Sequence, residues 1–111
     1  MRINVPPKRV REKFLITYEL YGAQKGVNCL TEYYHIRKMR IVLDGKRTGR
    51  TCVAFYENGK ATFRKRSLNR TNVLHEFYHH LTAKKHLELS ESIEEKEANS
   101  YARKFLLSHY F

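Results

Sequence analysis

Five consecutive residues, His75-Glu76-Phe77-Tyr78-His79, constrain this chain more than any other stretch. They read H-E-x-x-H. On an α-helix, residues four apart lie about 40° apart around the axis and roughly 6 Å apart along it. Both imidazoles can therefore reach one metal ion. Glu76 stands beside such an ion, where its carboxylate can take a proton from water. Leu74, Phe77, Tyr78 and Leu81 recur at i, i+3, i+4 and i+7, the buried stripe of an amphipathic helix. The two histidines flank that stripe. The bland counterpart is a histidine-rich surface helix, to which His80 and His86 would also belong.

A catalytic zinc takes three protein ligands and leaves its fourth position open. Downstream runs Glu94-Glu95-Lys96-Glu97-Ala98-Asn99-Ser100-Tyr101-Ala102. Glu95 and Asn99 are four apart and share a helix face, flanking a stripe of Ala98, Tyr101, Ala102, Phe105 and Leu106. Packing the two stripes together would bring Glu95 toward His75 and His79. Asn99 could then hold a ligand histidine by its second ring nitrogen. Glu94 is the rival ligand, since it too falls near the stripe. Glu91, Glu94 and Glu97 also suit the first turns of a helix for dipole reasons alone.

With these residues in view, the chain resembles the ImmA/IrrE family of small metallopeptidases. H-E-F-Y-H, a spacer and E-K-E-A-N-S-Y-A-R-K-F-L match the gluzincin pattern of H-E-x-x-H followed by Glu with Asp or Asn four residues later. The match covers roughly residues 53 to 107. The resemblance implies zinc, ligands His75, His79 and Glu95, Glu76 as general base, and Asn99 behind the ligands. It also implies hydrolysis of a peptide bond in a protein substrate, a helix-turn-helix repressor or similar DNA-binding regulator. The family's proline after the second helix is missing; Leu107-Ser108-His109-Tyr110-Phe111 stands there instead. A metzincin pattern fails, because Thr82 and Lys85 occupy the Gly and His positions and His86 comes one residue late.

The 111 residues suit a single domain, 1–111, with one modest core. Lys and Arg number 22 against 11 Asp and Glu, a net charge of +11. Such a balance favours an anionic partner or simply a soluble surface. A second functional class is therefore a basic nucleic-acid-binding module on a peptidase-like scaffold, with Arg64, Lys65, Arg66, Lys46 and Arg47 on phosphates. A structural zinc site is a third, but such sites are usually rich in cysteine. Cys29 and Cys52 lack C-x-x-C spacing and suit a reduced, cytoplasmic protein. No apolar run approaches the roughly 18 residues of a membrane span, and the N-terminus lacks a signal peptide's apolar centre.

The remaining pattern predicts an α+β fold. Residues 8–24 read as a helix or a strand; helix is preferred, ended by Gly22 or Gly26. Residues 33–43 are rich in β-branched and aromatic side chains and read as a strand. Asp44-Gly45 signals a turn and 46–50 a basic loop. Residues 51–57 and 61–65 read as a hairpin around Asn58-Gly59. Asn69 or Thr71 can cap the motif helix, and Ser90 or Ser92 the last one. The expected whole is a small antiparallel sheet of about three strands packed on the motif helix, with the Glu-bearing helix beside it. An oxyanion donor could come from Tyr78, Tyr101, His109 or Tyr110. Arg64, Lys65, Arg66, Lys46, Arg47 and Arg50 are expected to serve partner recognition.

Overall fold

The computed structural model describes residues 3–44 and 54–107. The elements run α1 (Lys8–Tyr21), α2 (Ala23–Tyr34), β1 (Arg40–Leu43), β2 (Ala54–Glu57), β3 (Lys60–Phe63), α3 (Arg70–Lys84) and α4 (Glu91–Leu107). Four helices and a three-stranded mixed sheet make an α+β fold. No described helix is long and apolar enough to cross a membrane. Of the predicted features, Gly45, the basic loop with Lys46, Arg47 and Arg50, the first hairpin residues 51–53 with Cys52, and His109 and Tyr110 lie outside the described residues.

Pro7, whose fixed ring suits a helix entrance, accepts from the backbone N–H groups of Val10 and Arg11, both at 3.0 Å. The helix expected from residue 8 does form, and Gly22 ends it with φ +95°, a conformation that disfavours other residues. A second helix starts at once. Its Ala23, Gly26, Val27 and Leu30 are buried, one helical stripe. This corrects the strand expected over 33–43, because Tyr33 and Tyr34 belong to α2 and only Arg40–Leu43 pair as a strand. Burial of the stripe outweighs the local β preference of the aromatic pair. His35, left-handed at φ 56°, closes the helix.

The hairpin forms at Asn58-Gly59. Their φ values of 49° and 78° are those of the turn that matches strand twist. β2 and β3 pair antiparallel, with Ala54 opposite Phe63 and Glu57 opposite Lys60. The all-antiparallel expectation is corrected at β1, which pairs parallel to β3 with Arg40 beside Lys60 and Leu43 beside Phe63. The order β1-β3-β2 makes β3 the central strand, and its Ala61, Thr62 and Phe63 are buried. Alternation within a hairpin does not encode which of its edges receives a third strand. Gln24 of α2 dresses the outer edge of β1. Its Nε2 donates to the Met39 carbonyl and its Oε1 accepts from the Ile41 N–H, both at 2.8 Å. Among the described residues β2 is an outer strand of the sheet, paired with β3.

Phe14 of α1 meets Phe105 of α4 edge to face at 5.2 Å. Val27, Leu30, Met39, Phe63, Leu74, Phe77 and Leu81 fill the same core, each contributing about 1.5–3 kcal/mol when fully buried. Asn69 caps α3 by accepting from the Asn72 N–H at 2.8 Å. Ser90 starts α4, its Oγ accepting from Ile93 N–H at 3.3 Å. These caps fix where both helices begin, and with them the height of Glu94 and Glu95 against His75 and His79.

Candidate metal centre

Helix α3 buries Leu74, Phe77, Tyr78 and Leu81 completely. That sets His75 and His79 at the border of the core, half-buried. Helix α4 lies alongside, joined by Tyr78 O–H donating to Glu97 Oε2 at 3.1 Å and Thr82 O–H donating to Glu94 Oε1. The result is a convergence of acceptors. His75 Nε2 and His79 Nε2 stand 3.3 Å apart. Glu95 reaches both, Oε2 to His75 Nε2 at 3.1 Å and Oε1 to His79 Nε2 at 2.8 Å. The three residues could hold one metal ion, their ligand atoms lying within 4.8 Å of one another.

The opposite ring nitrogens are committed. His75 Nδ1 meets Asn99 Oδ1 at 2.8 Å, and His79 Nδ1 meets Glu94 Oε2 at 2.7 Å. Both partners are acceptors, so each imidazole can donate from Nδ1, and with a metal bound Nε2 would then offer its lone pair inward. The inner nitrogens, 3.3 Å apart beside a carboxylate, leave a position that a metal ion could take in place of a proton. Tetrahedral ligands at 2.0–2.1 Å from zinc are about 3.3 Å from each other, close to the separations found here. Glu94 therefore meets His79 at its outer ring nitrogen, while Glu95 meets both histidines at the inner ones.

Glu76 faces the same space. It is 5 % exposed, and its Oε2 has no hydrogen-bond partner. Burial raises its carboxyl pKa above the ordinary value; nearby His79 and His75 pull it down in part, and Glu95 adds to the rise. A buried oxygen without a donor is costly unless something fills the site. A cleft of about 490 Å³ opens here, walled by Phe55 and Tyr56 of β2, by Ala83 and Leu87, and by Glu76, His79, Glu91, Glu94 and Glu95.

His80, next in the motif helix, does something else. It is fully buried; its Nε2 donates to the Arg37 carbonyl at 2.6 Å and its Nδ1 accepts from the Tyr56 hydroxyl at 2.8 Å. Tyr56 in turn accepts from the Gly59 N–H at 3.0 Å. Burial holds the His80 pKa below the ordinary value, partly offset by its bond to Arg37. This chain ties the hairpin, α3 and the segment before β1 together, and it holds β2 against the cleft. Sequence reading assigned no partner to His80; the preference of Tyr56 for a buried polar mate was the available signal.

Two of the four expected oxyanion donors, Tyr78 and Tyr101, sit elsewhere. Tyr78 bonds Glu97, and Tyr101 shares a hydrogen bond with Tyr34 at 2.9 Å. Neither lines the cleft, nor do Arg64, Lys65 and Arg66. Lys65 and Arg66 are exposed in a 3-10 turn after β3, and Arg64 is half-buried. A scan against protein-family models and searches of curated proteins and of solved structures find no match to this chain.

Proposed function

We propose that this chain is a zinc-dependent peptidase of the ImmA/IrrE, gluzincin kind, with His75, His79 and Glu95 holding the metal. The observation that carries the reading is the inward convergence of His75 Nε2, His79 Nε2 and Glu95, with Nδ1 of each ring already taken. A bound zinc would supply polarisation of a scissile carbonyl and a lowered pKa for water at the site. Glu76, buried beside the ligands with one oxygen unpartnered, takes the proton from the attacking water and passes it to the leaving amine. Its raised pKa suits both acts. Asn99 and Glu94 keep the imidazoles in the tautomer that faces inward. β2, an outer strand that walls the cleft with Phe55 and Tyr56, is where an extended substrate backbone would lie.

The substrate in this reading is a protein, a DNA-binding regulator by resemblance, and the protein works in the cytoplasm. Lys65 and Arg66, exposed near the start of α3, would steer an acidic or DNA-bound partner, so association would slow with salt. The experiment is hydrolysis of a protein substrate by zinc-loaded wild type and Glu76→Gln. Wild type should cleave, and Glu76→Gln should keep zinc while losing the rate by several orders of magnitude, roughly the joint size of base catalysis and water activation. Equal rates would refute the mechanism. A nucleic-acid-binding module on this scaffold would instead show steep salt dependence of binding and no zinc.

A further inference from the structure

We infer that the cleft beside the candidate metal centre selects a substrate residue with a long cationic side chain, lysine or arginine, and that Glu91 is the residue that reads its charge; this rests on the peptidase reading above. The charge of the chain is unevenly spread. The whole carries +11, yet six of its eleven acidic residues fall between Glu76 and Glu97. The cleft concentrates them: Glu76, Glu91, Glu94 and Glu95 line it, and no lysine or arginine among the described residues does.

A divalent ion at the centre changes this sum without cancelling it. Glu95 would ligate the ion, and Glu94 is held on His79 and Thr82. Their two charges offset the two of the ion. Glu76 and Glu91 remain. Glu76 offers a buried oxygen with no partner, which favours a donor or a cation in the cleft. Glu91 is exposed at the first turn of α4 and lines the cleft. Phe55, Ala83 and Leu87 also line the cleft, an apolar part of its wall. Lysine and arginine have the matching build, an aliphatic stem that packs on apolar surface and a charged tip that stays near water. An acidic side chain would meet the like charge of Glu91, and a purely aliphatic one would leave Glu91 unanswered.

The test is peptide binding, read by fluorescence anisotropy on full-length, zinc-loaded Glu76→Gln, which removes turnover and leaves Glu91 as the free anion of the cleft. The probes are end-blocked peptides alike except for one central residue, lysine, norleucine or glutamate. Lysine should bind about three- to tenfold tighter than norleucine, and glutamate weakest. Adding Glu91→Gln should shrink the lysine advantage to about twofold or less, and Glu91→Lys should reverse it toward glutamate. Equal binding of lysine and norleucine, a preference that survives both Glu91 substitutions, or no binding of any peptide would overturn the inference. Binding preference needs no turnover, so the two claims fail separately. Cleavage without lysine preference sinks only the inference, whereas lysine preference on a chain without zinc sinks only the peptidase reading.

Discussion

His79 Nδ1 and Glu94 Oε2 stand 2.7 Å apart, and that hydrogen bond divides two adjacent glutamates into different tasks. Glu95 faces the inner nitrogens of both histidines, and Glu94 holds one of them from behind. Glu94→Gln and Asn99→Ala should each weaken zinc binding by about 10–100-fold, the usual cost of losing a group that orients a ligand. Glu97→Ala should leave zinc affinity near wild type, because Glu97 bonds Tyr78 away from the cleft. Competitive zinc titrations of the three variants check this ordering.

The burial of Glu76 carries a stability consequence. Its folded pKa is raised, mainly by burial, so the folded chain disfavours the ionised form. Above that raised pKa the penalty is fully present; below the unfolded value it vanishes. Metal-free Glu76→Gln should therefore be more stable than metal-free wild type near neutral pH, by about 1–2 kcal/mol for one relieved buried polar group. Urea denaturation of both proteins in chelator measures the difference.

Tyr56→Phe should cost about 1–3 kcal/mol of stability, because it strands the buried Nδ1 of His80 and the Gly59 N–H together. Zinc affinity should change little, since the hydroxyl removed is the one bonded to His80 and Gly59. Thermal denaturation paired with zinc titration separates the two effects.

Which of these features could be read beforehand follows from their range. Motif spacing placed His75, His79, Glu95 and Asn99 on common faces, since helix geometry is local. Asn58-Gly59 marked the hairpin because its turn requires left-handed backbone. Helix α2 escaped because Gly26 and Tyr33-Tyr34 argue against a helix locally, while the Ala23, Gly26, Val27, Leu30 stripe acts only through packing on α1. The parallel placement of β1 and the His80–Tyr56 bond join segments far apart in the chain, and no short-range pattern encodes such pairings.

Tyr34 and Tyr101 share a hydrogen bond, and burial pushes the Tyr34 pKa up to about 12 and the Tyr101 pKa well above its ordinary value. The unfolded chain releases these protons near pH 10, and the folded chain only at higher pH. Folding thus takes up protons in that interval, and stability falls as pH rises from about 10 toward 12. Tyr34→Phe should flatten this decline. Denaturation midpoints between pH 8 and pH 11.5 or so, taken on both proteins, test the difference in slope.

The most direct measurement of the central claim is the zinc-to-protein ratio of the purified chain, compared between wild type and Glu95→Ala. Three candidate ligands converge on one position, so wild type should carry about one zinc per chain, and loss of one of the three should leave little after dialysis. A Glu95→Ala protein that retains wild-type zinc, or a wild-type protein that takes up none when zinc is supplied, would contradict the account.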